Sequence, residues 1–327
     1  MPMIFIVDTQ TDPWSNLASE EYLLKNFSEP VFRLWRNDPC VVIGKNQNAL
    51  AEIDIDYVKA NGIKVVRRLS GGGAVFHDLG NVNFTFIETR HPGEDTSDMF
   101  RRFTAPILDA LAGLGVDARL TGRNDLTIDG RKFSGNAICV DRSRVLMHGT
   151  LLFSASMGSL AGALKNRAVK YSDKAVKSNI SRVTNISSHL KEPMTVENFI
   201  GFLAGHIGRN WPRYDYTRQD LEAIERLRTE KYATDGWNFS ASPRYTFSNS
   251  AKLPCGVVEI TFDVERGLIS RLGITGDFFF TKSVEEFCEK MVGCPHEKEK
   301  IAGRIAEIHP GDYFSGVSPA ELAELFF

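Results

Sequence analysis

The 327-residue chain is poor in several features, and each shortage removes a class of protein. No apolar run approaches the roughly 18 residues that would span a bilayer. The opening "MPMIFIVDTQ" has no basic segment ahead of its short apolar run, which Asp8 ends, so no secretory signal is expected. An excess of one charge is also lacking: 39 Lys and Arg face 41 Asp and Glu, a net charge of −2. So balanced a chain recruits neither nucleic acid nor membrane through its global field, and any electrostatic site must be local. Five cysteines (Cys40, Cys139, Cys255, Cys288 and Cys294) form no CxxC pair and no His-paired metal spacing. The expectation is a reduced, cytoplasmic protein with mostly buried thiols. HxH and HExxH are absent, which removes the common zinc frameworks.

What is present suits one large domain with a smaller one. "IFIV" reads as a strand, Ser15 to Phe27 as a helix, and "VFRLWR" and "CVVIG" as strands. Asp54 to Asn61 is a short helix that Gly62 stops. "IKVVRRL" and "NVNFTFIE" are strands, the second with period-two alternation. Ser97 can cap the next helix, whose Met99, Phe100, Phe103, Ile107, Leu111 and Leu114 share a face before Gly115 ends it. "NDLTIDGRKFSGNAIC" holds two β-like runs around Asp129-Gly130, a dipeptide that type I′ hairpins favour. "RVLMHGTLLFSA" is a further strand, and Phe199 to Trp211 and Leu221 to Tyr232 are helical. Strands in adjacent pairs with helices between them predict an α+β fold. A boundary near 243 is expected, giving domains 1–243 and 244–327. The second holds the strands in "YTFS" and "GVVEITFDVERGLISRL", then short helices. Ser283 with Glu286, and Ser318-Pro319 with Glu321, read as helix starts.

"VVRRLSGGGAVFHDLGNVNFTFIE" is the first unusual stretch. Three adjacent glycines cost roughly 0.5–1 kcal/mol each in chain entropy. That loss suggests a special backbone conformation or a close ligand approach. Bare amides there can point at an anion, and Arg67, Arg68 and His77 flank them. It is not a Walker loop, because no Gly-Lys-Ser/Thr comes after it. Nor is it a dinucleotide fingerprint, because the third required glycine would fall at Phe76. The plain alternative is a tight hairpin or bulge at a sheet edge.

The second is "GRNDLTIDGRKFSGNA". Lys132 lies two residues past the turn, and on a regular strand it shares a face with Ser134 and Asn136. It is either a solvated edge lysine or a point charge for a phosphate or acyl oxygen. His148 on its own reads as a satisfied core histidine. Third, 165–182 carries Lys165, Arg167, Lys170, Lys174, Lys177 and Arg182 against Asp173 alone. A solvated cationic loop and a lid closing over phosphates both fit. Nucleic-acid binding lacks its stacking aromatics, Tyr171 apart.

"RRLSGGGAVFHDLGNVNFTF", "GRNDLTIDGRKFSGNA", "HGTLL" and "SRVTNI" occur in the order and spacing of the lipoate–protein ligase A family, which this chain resembles. "WNFSASPRYTF" and "GVVEITFDVERGLIS" resemble that family's junction into its accessory domain. The resemblance implies a mixed-sheet, biotin/lipoate ligase-like catalytic domain with a small α+β C-terminal accessory domain. It implies that lipoate and Mg2+–ATP give lipoyl-AMP and pyrophosphate. The acyl group then passes to a lysine of the lipoyl domains of 2-oxoacid dehydrogenase E2 subunits or of glycine cleavage H protein. A cytoplasmic monomer acting in lipoate salvage is expected, with no nucleic-acid or membrane partner.

By the same resemblance, Arg68, Ser70, Gly71, Gly72, Gly73, Ala74, Val75, Phe76, His77 and Asn83 meet the nucleotide. So do Asn124, Asp125, Lys132, Ser134, Gly135, Ala137 and Arg182. Lys132 is the catalytic lysine, touching both the lipoyl carboxyl and the α-phosphate. Arg68, Lys132, His148, Gly149 and Thr150 meet lipoate, and Asp125 is the candidate metal ligand. Gly72→Val is expected to fill the nucleotide's space. Related octanoyl or lipoyl transferases place a cysteine near "TGRNDL", and none occurs here between Cys40 and Cys139. A lipoyl-AMP:protein transferase without adenylation shares these motifs and stays open.

Overall fold

The computed structural model describes residues 2–47, 49–156, 183–240, 245–277 and 282–327. The basic stretch 165–182, Arg182 included, and the join at 241–244 lie outside them. The described residues divide into two compact units, the second built chiefly from Asp235–Phe327. Among them no helix is long and apolar enough to cross a membrane.

In chain order the elements up to residue 227 are β1 (Ile4–Val7), α1 (Pro13–Asn26), β2 (Val31–Trp35), β3 (Cys40–Ile43), α2 (Ala49–Glu52), α3 (Ile55–Ala60), β4 (Lys64–Arg67), β5 (Val75–His77), β6 (Asn81–Thr89), α4 (Thr96–Gly113), β7 (Ala118–Thr121), β8 (Asp125–Ile128), β9 (Arg131–Asp141), β10 (Arg144–Leu152), α5 (Val196–Ile207) and α6 (Arg218–Leu227). A mixed sheet runs β1-β2-β6-β10-β9-β8-β7, with β1 parallel to β2 and every other neighbour antiparallel. A small sheet, β4-β3-β5, carries the glycine loop between its outer strands.

Cap chemistry sets the helix starts. Asp12 accepts the Ser15 N–H at 3.0 Å, so α1 begins at Pro13 rather than Ser15. Ser97 does not cap α4. Asp95 holds the extended conformation of a cap and accepts the Asp98 N–H at 2.8 Å, which lets the helix start at Thr96. Met99, Phe100, Phe103, Ile107 and Leu111 are buried on its inner face, as their spacing requires.

Strand β6 corrects a simple reading of its alternation. Both of its faces are buried through Ile87. Val82, Phe84 and Phe86 join the core under α4 and α5, with Phe32, Leu34, Phe103, Leu126 and Phe133. The alternate members, Asn83 and Thr85, are also buried, on the face that α1 covers.

The hairpin turn forms as expected, with Asp129 at φ +50° and Gly130 at φ +71°. The strand beyond the turn departs from the expectation. Thr127 pairs with Lys132 but Leu126 pairs with Ser134, so Phe133 is an extra residue, a β-bulge. Past the bulge the alternation is out of phase. Lys132 lies with Asp125, Thr127 and Gly135, while Ser134 and Asn136 take the opposite face. The expected shared face of Lys132, Ser134 and Asn136 is therefore wrong, and Phe133, fully buried, is the residue the bulge inserts into the core.

The second unit is a meander of β11 (Tyr245–Leu253), β12 (Gly256–Glu265) and β13 (Leu268–Gly276), with α7 (Val284–Met291), α8 (Lys298–Ile308) and α9 (Pro319–Glu324). It has its own core, centred on Phe247, Ile260, Phe262, Phe287, Ile305 and Phe326. The Ser318–Glu321 capping box forms. The Ser283–Glu286 box does not, because the Ser283 hydroxyl donates to Glu285 at 2.6 Å instead.

Candidate active site

One face of the large sheet gathers the polar residues. Cross-strand pairing aligns Trp35 with Asn83 and Asn83 with Thr150, and Arg33 with Thr85 and Thr85 with His148. His148 in turn pairs with Ala137, and the Gly135 N–H donates to Thr150 Oγ1 at 3.1 Å. The Lys132 amine leans over Gly135, 3.1 Å from where a Cβ there would lie. Lys132 is thus on the face that carries Ala137, His148, Thr150 and Asn83. Gly149 is not. A Cβ on it would collide with Asn136 and Phe84, so Gly149 keeps the two sides of the sheet packed.

Arg68 shapes the glycine loop from inside. Buried, it donates from Nη2 to the Gly71 carbonyl at 2.7 Å and the Gly73 carbonyl at 2.8 Å, and from Nε to Ser70 Oγ at 3.0 Å. Its guanidinium therefore holds those carbonyls inward. Burial pulls the Arg68 pKa down to about 10, with Arg67 adding to the effect and Glu20 opposing it. Gly72 sits at φ +96°, and a Cβ there would press the Arg68 guanidinium at 2.9 Å. Gly71 meets nothing within 4 Å and faces open space. Gly71, not Gly72, is the position where a side chain would enter free volume. Ala74, Phe76 and His77 are buried below the loop, with Val75 half-buried.

A buried hydrogen-bonded line ties this loop to the sheet. Ser70 Oγ lies 2.6 Å from His148 Nε2, and His148 Nδ1 lies 3.0 Å from Glu20 on α1. Thr85 donates to Glu20 at 2.6 Å, and the Trp35 indole N–H donates to Thr85 at 2.9 Å. Burial alone would raise the Glu20 pKa, but His148, Arg33 and the Thr85 hydroxyl outweigh it and hold the carboxyl below its ordinary range. His148 is both a satisfied core histidine and a wall of the site. Glu20 escaped the sequence reading. The signal was its place midway between Leu17 and Leu24, on the apolar stripe of α1, where a solvated glutamate does not belong.

At the hairpin, Lys132 Nζ is 2.7 Å from Asp125 Oδ1, each side chain about a third exposed (31% and 37%). The Lys132 carbonyl accepts the Thr184 N–H at 2.9 Å, which pins the backbone beneath the amine. Asn124 is otherwise engaged. Its Nδ2 donates to the Asn136 carbonyl at 2.6 Å while Asn136 Nδ2 donates back at 2.9 Å, so its amide closes the hairpin. Ser134 is buried on the core side. Among the described residues no group of three His, Cys, Asp or Glu could hold a metal ion. Cys139 is half-buried, and burial pushes its thiol above the ordinary value.

Buried polar atoms without partners include His77 Nε2, Asn83 Nδ2 and Asn81 Oδ1. Such orphans are costly, and each calls for an explanation such as a catalytic role or a bound group. Asn81 Nδ2 donates to Asn83 Oδ1 at 3.0 Å, which leaves the Asn83 donor to face the site. Burial, with Arg68 and His148 nearby, pushes the His77 pKa down to about 3, so this imidazole is neutral at physiological pH.

A mixed sheet that covers its polar face with one helix and a glycine-loop subsheet, in a chain that continues into a small α+β unit, has the architecture of the lipoate ligases. The model of the lipoyl protein ligase A/B catalytic domain matches residues 12–208, and that of the bacterial lipoate protein ligase C-terminus matches residues 242–326. The chain belongs to the lipoate–protein ligase family and is an enzyme of that ligase class. It is 41% identical to lipoate-protein ligase LplJ of Bacillus subtilis, over 99% of this chain and 100% of that protein. It is also 41% identical to lipoate–protein ligase 1 of Staphylococcus aureus, over 96% and 97% of the two chains. A crystal structure of lipoate-protein ligase A bound with ATP superposes with a TM-score of 0.64 at 27% identity, covering 73% of this chain and 99% of that one. A bi-partite lipoate protein ligase from Thermoplasma acidophilum, studied with its E2 lipoyl domain, gives 0.64 at 30% identity, over 73% and 96%. Plasmodium falciparum LipL1 in complex with lipoate gives 0.60 at 27% identity, over 93% and 94%.

Proposed function

We propose that the enzyme activates lipoate with ATP to lipoyl-AMP and then moves the lipoyl group to a lysine of a lipoyl domain. The observation that carries this reading is that the Lys132 amine and the His148 that anchors the glycine loop through Ser70 occupy one face of one sheet. The ATP-bound and lipoate-bound relatives support the two ligands.

In the first step a lipoate carboxylate oxygen attacks the α-phosphorus of ATP, and the bond to pyrophosphate breaks. Two anions must meet, so positive charge and fixed dipoles have to offset their repulsion. Lys132 supplies the charge, and the amides of Gly71–Ala74 supply the dipoles. The His77 and Asn83 donors take further substrate oxygens. In the second step the acceptor lysine amine attacks the acyl carbonyl, which Lys132 polarises. The amide forms, AMP leaves with the bonding pair, and the amine's proton passes to solvent. Trp35, His148 and Thr150 wall the acyl group away from water.

ATP brings Mg2+ to this reaction, and a phosphate-borne Mg2+ needs only one or two protein carboxylates. Asp125, partly exposed beside Lys132, fits that limited role and would hold it. Arg182 would contribute its charge to the adenylate's phosphate. Ser134, Asn124 and Gly149 support the site from within the sheet. The catalytic domain would end at 243 and the accessory domain begin at 244. The acceptors would be lipoyl domains of 2-oxoacid dehydrogenase E2 subunits and glycine cleavage H protein, a reading supported by the T. acidophilum ligase and its E2 lipoyl domain. The enzyme would work as a cytoplasmic monomer in lipoate salvage.

Incubation of pure protein with ATP, lipoate and labelled pyrophosphate tests the proposal. Lipoate-dependent exchange of label into ATP is expected. Absence of exchange, with transfer from synthetic lipoyl-AMP intact, would identify a transferase that does not adenylate.

A further inference from the structure

A second buried chain of side chains reaches the site, and its polarity is fixed from one end. Arg33 is fully buried and can only donate; its Nη2 meets Asn16 Oδ1 at 2.6 Å. Gln10 Nε2 donates to the same oxygen at 2.7 Å. Asn16 Nδ2 therefore points the other way, to the Arg36 carbonyl at 2.8 Å and to Asn37 Oδ1 at 2.9 Å. With its oxygen so engaged, Asn37 presents Nδ2 to His77 Nδ1 at 3.1 Å. An N–H facing Nδ1 requires a lone pair there. The ring proton must then sit on Nε2, the buried atom that has no partner. Asn16, Asn37 and His77 are at most 4% exposed, so water does not scramble the sequence of donors and acceptors.

We infer that Arg33, Asn16 and Asn37 form a positioning relay that locks His77 in the Nε2–H tautomer, as a neutral donor to an acceptor oxygen of the substrates. A neutral donor suits this place. It binds an oxygen without forming a fixed ion pair with the pyrophosphate or AMP that must leave. It also cannot become an imidazolium without setting Nδ1–H against the Asn37 N–H. The relay's substrate half rests on the function proposed above; its tautomer half does not.

The test reads the ring directly. Long-range 1H–15N correlation spectra of the 15N-histidine-labelled full chain, with His77→Gln used to assign the signal, should show a neutral Nε2–H ring from pH 5 to 8 without any substrate. An Nδ1–H ring or an imidazolium in that range would overturn the relay. Asn37→Asp keeps size and shape but replaces the donor by a carboxylate, which prefers an Nδ1–H partner. The His77 signal should switch to the Nδ1–H or doubly protonated pattern, with ATP-dependent lipoylation falling on the order of tenfold, the lower end of what losing a histidine's orienting partner costs at metal sites. An unchanged tautomer in that variant would show that Asn37 does not govern the ring. Should Asn37→Asp fail to fold, His77→Gln and His77→Asn decide the issue. Gln carries an amide N–H out to the Nε2 position and should keep more activity than Asn, whose amide reaches only the Nδ1 position; the reverse order contradicts the relay. Adding a non-hydrolysable ATP analogue or lipoate separately should shift the Nε2–H signal with whichever supplies the oxygen, and no shift with either would remove the donor role. A correct tautomer in a protein that forms no lipoyl-AMP would defeat the ligase reading and leave the relay standing.

Discussion

Ser70 Oγ and His148 Nε2, 78 residues apart in sequence, lie 2.6 Å from each other, and this contact seats the glycine loop on the large sheet. Behind His148 stands Glu20, whose carboxylate is its buried counterpart. Glu20→Ala would leave His148 and Thr85 without that acceptor and should destabilise the protein by about 1–3 kcal/mol for each orphaned donor. Glu20→Gln, which keeps an acceptor oxygen, should cost less than half as much. Urea denaturation of the two variants against the parent measures both differences.

Two neighbouring glycines should behave differently. Gly71→Val should fold normally and weaken nucleotide binding, because its side chain enters open space at the loop. Gly72→Val should lower stability by about 2 kcal/mol or more, since its φ of +96° and the Arg68 guanidinium both oppose a β-branched residue. Thermal melts together with calorimetric titration of ATP distinguish the two. The expectation that Gly72→Val acts by filling the nucleotide's space is replaced by one in which it distorts the loop.

Lys132→Ala should abolish lipoate-dependent pyrophosphate exchange while changing stability by less than about 1 kcal/mol, because its ion pair with Asp125 is partly exposed. Exchange at the parental rate would remove Lys132 from the chemistry.

Acid stability should depend on Asp12. Burial would raise its pKa, but Lys64, Arg228 and the Ser15 N–H overcome this and hold it at about 2. A carboxyl depressed on folding contributes stability above its unfolded pKa of about 4, and that contribution is lost as pH falls through about 2. Asp12→Asn should therefore destabilise the protein at pH 7 by about 1 kcal/mol, after solvent screening. The gap should close between pH 4 and pH 2, which denaturant melts across that range would track.

The Asp129-Gly130 turn was legible because it rests on local chemistry, φ > 0, while backbone entropy and a lone cation singled out the glycine loop and Lys132 as the positions to test. The errors share a different origin. The Phe133 bulge has no local signature and shows only in how β8 pairs with β9. It put Lys132 on the other face from Ser134 and Asn136. The motif assigns Gly149 to the acyl pocket, yet a Cβ on it would strike Asn136 and Phe84 on the core side. Arg68 read as a ligand contact, and the structure adds that its guanidinium also holds the carbonyls of its own loop, at Gly71 and Gly73, which the motif does not disclose. The line from Arg33 to His77 joins side chains at 33, 16, 37 and 77, and spacing along the chain cannot disclose such a path.

The extra residue at Phe133 also governs how this hairpin can evolve. Deleting one residue there would invert every later side chain of the strand, carrying Asn136 to the wet side and Ala137 inward. Inserting one at the 129–130 tip would merely lengthen a surface connection. Gaps among relatives should therefore collect at the tip and spare 131–136, so that the distance in sequence from lysine to glycine is a stricter family ruler than the length of the turn before them.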